Sequence, residues 1–186
     1  MRTIGSGMIL AFAFCLLVTS AYGQEENVGP EAGDFSLSPQ FALSHAKPEN
    51  GDAFGTLTLA SGFGYFLTPK VELGAFLFVG TSFAKKVDLG DNLFISVGPN
   101  AVYHFQFGKT QRVIPFIGAG GGIYYQKFEL GDGSDSSTDF SVGGAAGLDY
   151  YATESTSVRL QLRDDYIFAD ENLNSLLFLV GLNIIF

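Results

Sequence analysis

The last eleven residues, Leu176 to Phe186 (LLFLVGLNIIF), restrict most severely what this chain can fold into. Leu176, Phe178, Val180, Leu182, Ile184 and Phe186 recur at every second position, so an extended backbone puts all six on one face. Chain ends fray in water unless a sheet holds them, and an apolar face that runs to the final residue needs both a strand partner and an apolar neighbour.

The same alternation runs through most of the chain. Seven further stretches read as strands: Asp34 to Ser44, Gly55 to Leu67, Val71 to Phe83, Leu93 to Phe107, Val113 to Lys127, Phe140 to Tyr151 and Ser157 to Phe168. Most are 11 to 15 residues long, against the about 9 to 11 that a tilted strand needs to cross a bilayer and the roughly 5 or 6 typical of soluble strands. The connections alternate in length. Residues 45–53, 84–92, 128–138 and 169–174 are longer and acidic, with 128–138 the longest loop, whereas 68–70, 108–112 and 152–156 are short turns. Pro99 removes one ladder hydrogen bond inside its strand and marks a candidate bulge. Aromatic residues gather near strand ends, where interfacial girdles sit.

Residues 1–23 stand apart. Arg2 precedes an apolar run from Met8 to Val18, and Ala21-Tyr22-Gly23 supplies a small-x-small cleavage site, the layout of a secretory signal and too short to span a membrane as a helix. Cys15 lies inside that run, so a processed chain carries no cysteine for a disulfide or a thiol nucleophile. Residues 24–33 form a polar lead-in expected to be mobile, and 34–186 the folded domain. Without Arg2 nine basic side chains face 19 acidic ones, a net charge of −10, which argues against nucleic acid or anionic surfaces as partners. Charged residues make up 16% of the chain and aromatics 15%, with 24 glycines, where about 25% charged is usual.

The terminal strand, with Phe178, Val180, Leu182, Ile184 and a closing Phe186, resembles the C-terminal signature of bacterial outer-membrane β-barrels. Over Asp34 to Phe186 the strand pattern is similar to the small eight-stranded outer-membrane proteins, such as the membrane domain of outer-membrane protein A and outer-membrane protein X. The resemblance implies an all-β, eight-stranded, antiparallel up-and-down transmembrane barrel in a bacterial outer membrane. It also implies contact with outer-membrane lipid, recognition of the last strand by the barrel-assembly machinery, a monomer and no cofactor. The rival fold is a secreted barrel of the lipocalin kind with its apolar face turned inward around a ligand. The second face of the strands, made of Gly, Ala, Ser, Gln and Arg, suits a filled lumen better than a solvated surface.

An inward face so defined carries Glu72, Asn100, Gln106, Asp149, Arg159, Gln161, Arg163, Asp165 and Asn183. Arg159 and Arg163 then require acidic partners among Glu72, Asp149 and Asp165, because an unpaired buried charge is costly. Such a network is either a plug or a gate for small ions. Gly118, Gly120, Gly122, Gly143 and Gly147 offer room for bulky Phe76, Phe78 and Tyr124. A lipid hydrolase or acyltransferase needs a nucleophile and base in contact; the two imidazoles, His45 beside the first long loop and His104 near a short turn, fall at opposite ends and lack a motif spacing. Glu129, Asp132, Asp135 and Asp139 could collect Ca²⁺ but miss the EF-hand spacing, and no helix follows Gly118 to Gly122 to make a phosphate loop. Asp164 falls by parity on the lipid face, so either a bulge near Arg163 or a place close to the outer rim is expected. Together these readings describe a structural or surface-interacting outer-membrane barrel without catalytic centre; the alternatives are a narrow porin-like channel and a lipid-modifying enzyme.

Overall fold

A computed structural model of the chain describes residues 28–46, 54–84, 92–108, 111–130, 133–169 and 173–186. Among these residues eight strands form one closed barrel: β1 (Phe35–Ala46), β2 (Phe54–Thr68), β3 (Val71–Ala84), β4 (Asn92–His104), β5 (Val113–Leu130), β6 (Gly133–Tyr151), β7 (Thr156–Phe168) and β8 (Leu173–Ile185). Each strand pairs antiparallel with its neighbours in sequence, and β8 pairs with β1. That closure leaves no sheet edge within the barrel wall, as a backbone surrounded by lipid demands. At the seam Phe35 and Phe186 exchange both backbone hydrogen bonds, at 2.9 and 3.0 Å, so the terminal residue is the last rung of the ladder.

Exposure settles which face points out. Leu43 is 70% exposed, Leu59 59% and Phe178 57%, whereas Ser36, Asp149 and Asn183 are fully buried and Arg159 and Arg163 are 4% exposed. The apolar face is outside and the polar face inside, the reverse of a lipocalin. Aromatic side chains girdle both ends: Phe35 packs with Phe63, Tyr65 and Phe186 toward the short turns, and Phe168 with Phe140 and Tyr166 toward the long loops.

Several boundaries differ from the sequence expectation, each for a local reason. Most of residues 128–138, expected as the longest loop, is strand: β5 and β6 stay paired to Leu130↔Gly133. Beyond the last pairs with β4 and β7, at Leu93↔Lys127 and Phe140↔Phe168, this hairpin stands clear of the barrel wall. The described side chains Asp135, Ser136 and Thr138 are exposed, so nothing there imposes the apolar alternation by which strands are recognised. β4 ends at His104, three residues early, because Gln106 N turns back to His104 O and Phe107 N to Gln111 Oε1. Pro99 produces no bulge. Its ladder to β5 lapses after Val97↔Ile123 and resumes at Asn100↔Gly120 in the same register; a missing N–H removes a rung without adding a residue. Among the described pairs the register shifts only between Phe66 and Thr68, at the turn into β3.

Glycines make room inside, but for other groups than Phe76, Phe78 and Tyr124. A Cβ at Gly147 would lie 2.5 Å from Phe116 Cζ, and one at Gly64 or Gly143 would overlap the Glu72 or Asp165 carboxylate. Residues 28–33, expected to be mobile, instead fold across the short-turn end: Val28 is buried against Ile114, Tyr151 and Ile185. The signal-like stretch and residues 24–27 lie outside the described residues.

Candidate functional site: the lumen

Period-two geometry delivers Arg159, Gln161, Arg163 and Asp165 of β7 to the interior in one file. Arg159 reaches its direct cross-strand partner Asp149 on β6 with two hydrogen bonds, Nε to Oδ1 at 2.8 Å and Nη2 to Oδ2 at 2.7 Å. Its Nη1 donates to Ser38 Oγ at 3.1 Å, and Ser38 in turn donates to Asn183 Oδ1 at 2.7 Å. Arg163 instead takes the carboxylate two residues along its own strand, Asp165, again in a fork of 2.7 and 2.8 Å. Planar, bidentate pairing is the geometry in which a guanidinium best offsets its own dehydration.

Glu72 of β3 finds a different partner. His104 Nε2 lies 2.8 Å from Glu72 Oε2, and Ser36 Oγ donates to the other carboxylate oxygen. His104 is wholly buried between the rings of Phe66 and Phe116, its Nδ1 without a hydrogen bond and 3.9 Å from Asp149 Oδ2. Glu72, His104, Asp149 and Arg159 thus form one cluster toward the short turns, with Arg163 and Asp165 a second pair toward the long loops.

Aromatic rings fill the bore between them. Arg159 lies over Phe116 at 4.6 Å, and Arg163 over Phe76 and Phe78 at 4.2 and 4.9 Å. A desolvated guanidinium over a ring gains about 2 kcal/mol, so these contacts hold the plug as well as fill it. The cavity left there, about 40 Å³, is lined among others by Gln40, Asn100, Gln161 and the two arginines. That is space on the scale of one or a few waters, suited to the unpartnered Gln40 Oε1 and Asn100 Oδ1.

The inward residues expected from sequence therefore fall into distinct places. Glu72, Asp149, Arg159, Arg163, Asp165 and Asn183 are joined by the contacts above, while Asn100 and Gln161 line the cavity. Gln106 is not in the lumen: it follows the end of β4 and donates to Val28 O at 3.4 Å. Sequence reasoning misses Ser36 and Ser38, because serine alternation in a strand looks the same whether or not it bonds a charge. Among the described residues no hydroxyl or thiol is hydrogen-bonded to His104, whose Nε2 is taken by Glu72. The His45 side chain lies outside the described residues, as does Asp132; among the described residues no three His, Cys, Asp or Glu side chains converge on a metal-sized space. Asp164 is exposed on the outer face. The register past Arg163 is unbroken, so a bulge does not explain it. Asp164 lies four residues below the end of β7, and Asn174, with its amide turned nitrogen-first, donates to it at 2.9 Å.

A family model described as outer membrane protein beta-barrel domain matches residues 9–186. The chain belongs to this family. Its place is therefore the bacterial outer membrane, and the outward apolar belt is its lipid-facing surface. Among solved structures it is similar to Neisserial surface protein A, at 16% identity over 83% of this chain and 98% of that one, with a TM-score of 0.63. The N-terminal barrel domain of Pseudomonas aeruginosa OprF aligns at 21% identity over 84% and 100%, TM-score 0.57. Ail, the attachment invasion locus protein of Yersinia pestis, aligns at 18% over 83% and 99%, TM-score 0.56. At such identities the likeness is one of fold. No protein of curated function shows significant sequence similarity to the chain.

Proposed function

We propose that the chain is exported by a cleaved signal over residues 1–23 and serves as a closed structural or surface-interacting barrel, with its short turns and both mature ends in the periplasm and no catalytic centre. The filled lumen carries this reading. Forked ion pairs, stacked rings and a cavity of about 40 Å³ leave little bore for a solute. The β5–β6 hairpin supports the surface role, since it extends past its last pairs with β4 and β7 and exposes Asp135, Ser136 and Thr138. Purified protein in a planar bilayer is expected to give no single-channel steps, while remaining compact in unheated detergent gels and shifting on boiling. Regular ohmic steps would replace this reading with the narrow channel. An altered lipid profile in a deletion strain, restored by the wild-type chain and not by His104→Ala, would replace it with an enzyme.

The C-terminal strand is the proposed handle for the barrel-assembly machinery, through Phe178, Val180, Leu182, Ile184 and Phe186. Phe186 is 65% exposed yet closes the β1–β8 ladder. Phe186→Ala keeps the backbone bonds and removes the ring, so it is expected to lower the heat-modifiable form in outer-membrane fractions several-fold while refolding into detergent stays near normal. Equal losses in cells and in detergent would assign Phe186 to stability alone.

A further inference from the structure

Residues 28–33 close the short-turn end of the barrel as a strap. Val28 and Pro30 are buried, yet few polar bonds hold them: Gly29 N donates to Glu154 O at 3.3 Å, Gln106 Nε2 to Val28 O at 3.4 Å, and Gly33 N to Phe66 O at 2.8 Å. Gly29 and Gly33 have φ of 101° and 100°, the left-handed region, so the backbone is reversed on either side of Pro30. Its firm anchors lie at the Gly33 end, where Gly33 N meets Phe66 O and Glu31 N donates to Asp34 Oδ2 at 2.7 Å, while Val28 and Gly29 are held only by the two longer bonds.

What lies under this apolar cap is polar. Tyr151 Oη, Ser157 Oγ, Asn183 Nδ2 and His104 Nδ1 are all buried there, and His104 lies against the Glu72 and Asp149 carboxylates. Ser157 pairs across the ladder with Tyr151 on one side and Asn183 on the other, and Tyr151 belongs to the same buried cluster as Val28. Lifting the cap lets water reach these polar groups, and their hydration offsets the apolar packing that is broken.

We propose that residues 28–33 are a hinged plug that swings about Gly33 and opens a vestibule for water and small solutes at the short-turn end, reaching the Glu72, His104 and Asp149 cluster. Phe116, Phe76 and Phe78 with their stacked arginines keep the bore shut above it, so the vestibule is a chamber with one mouth. That upper barrier rests on the closed-lumen reading; the plug does not.

Thiol labelling tests the plug in the full-length protein isolated from outer membranes. Ser157→Cys, whose hydroxyl has no bond to lose, is the reporter in a Cys15→Ala background, and Ser141→Cys, at a site 2% exposed and ten residues up β6 from its short-turn end, is the control. Gly29→Val displaces the strap, because its φ of 101° is strained for valine and its Cβ would lie 2.9 Å from Ile114 Cδ1; Val28→Glu does so by charge. With a small methanethiosulfonate reagent, the thiol at position 157 is expected to label slowly in the native barrel. Either strap variant is expected to raise that rate about tenfold or more, the order that one strained residue produces, while the thiol at position 141 is unchanged. No labelling at position 157 in the native barrel, equal rates with and without the strap variants, or an equal acceleration at position 141 would overturn the proposal. Conductance steps from the native protein would remove the upper barrier and leave the labelling result standing.

Discussion

Asp149→Ala is expected to destabilise the barrel by about 3–5 kcal/mol, the usual cost of stranding one member of a buried ion pair. Asp149 is fully buried and takes both forked donors of Arg159, which then retains only Ser38 and the face of Phe116. Glu72, the other carboxylate of this cluster, is already engaged by His104 and Ser36. Replacing both partners at once, Asp149→Leu with Arg159→Met, is expected to recover most of the loss, because the dehydration of both charges goes with them. Urea unfolding of the barrel in lipid vesicles reads both variants. A loss below about 1 kcal/mol for Asp149→Ala, the range of solvated pairs, would mean that water reaches the pair and that the lumen is wet through its length.

Leu59→Arg is the second large effect, expected to cost about 2–4 kcal/mol in a bilayer. Leu59 is 59% exposed on the outer face of β2, beside Phe41 and Val79 on the neighbouring strands. In lipid that exposure is burial in hydrocarbon, and a guanidinium there has no partner. The same unfolding measurement in detergent micelles of decreasing thickness should show the penalty shrink as water comes nearer. An unaffected stability in the bilayer would mean that this face does not meet lipid, against the family assignment and the aromatic girdles alike.

Much of this barrel is legible because the wall enforces a local rule. A strand span such as Thr156–Phe168 stands out from its alternation, which lipid on one side and a polar lumen on the other impose, whereas Val71–Ala84 is less clean because it turns Phe76 and Phe78 inward. Where that enforcement ends, the pattern misleads. The hairpin through Ser134 to Thr138 has no apolar face and resembles a loop, and Phe105 to Phe107 keep an apolar pattern past the point where the chain has already turned. Pro99 and Asp164 both suggest bulges, yet an uninterrupted register on either flank carries them.

The chain's own order of residues determined the number of strands, their alternation, the need for acids near Arg159 and Arg163, and the apolar terminal face. These follow from a backbone period of two and from the cost of an unpaired buried charge, both local properties. Only the closed structure decided which acid each arginine takes: Asp149 across the ladder for one, Asp165 along the same strand for the other. It alone joined Glu72 to His104 and laid Val28 over Tyr151. Such contacts depend on eight registers closing together and on which side chains then meet across the bore, quantities to which no stretch of sequence is separately bound.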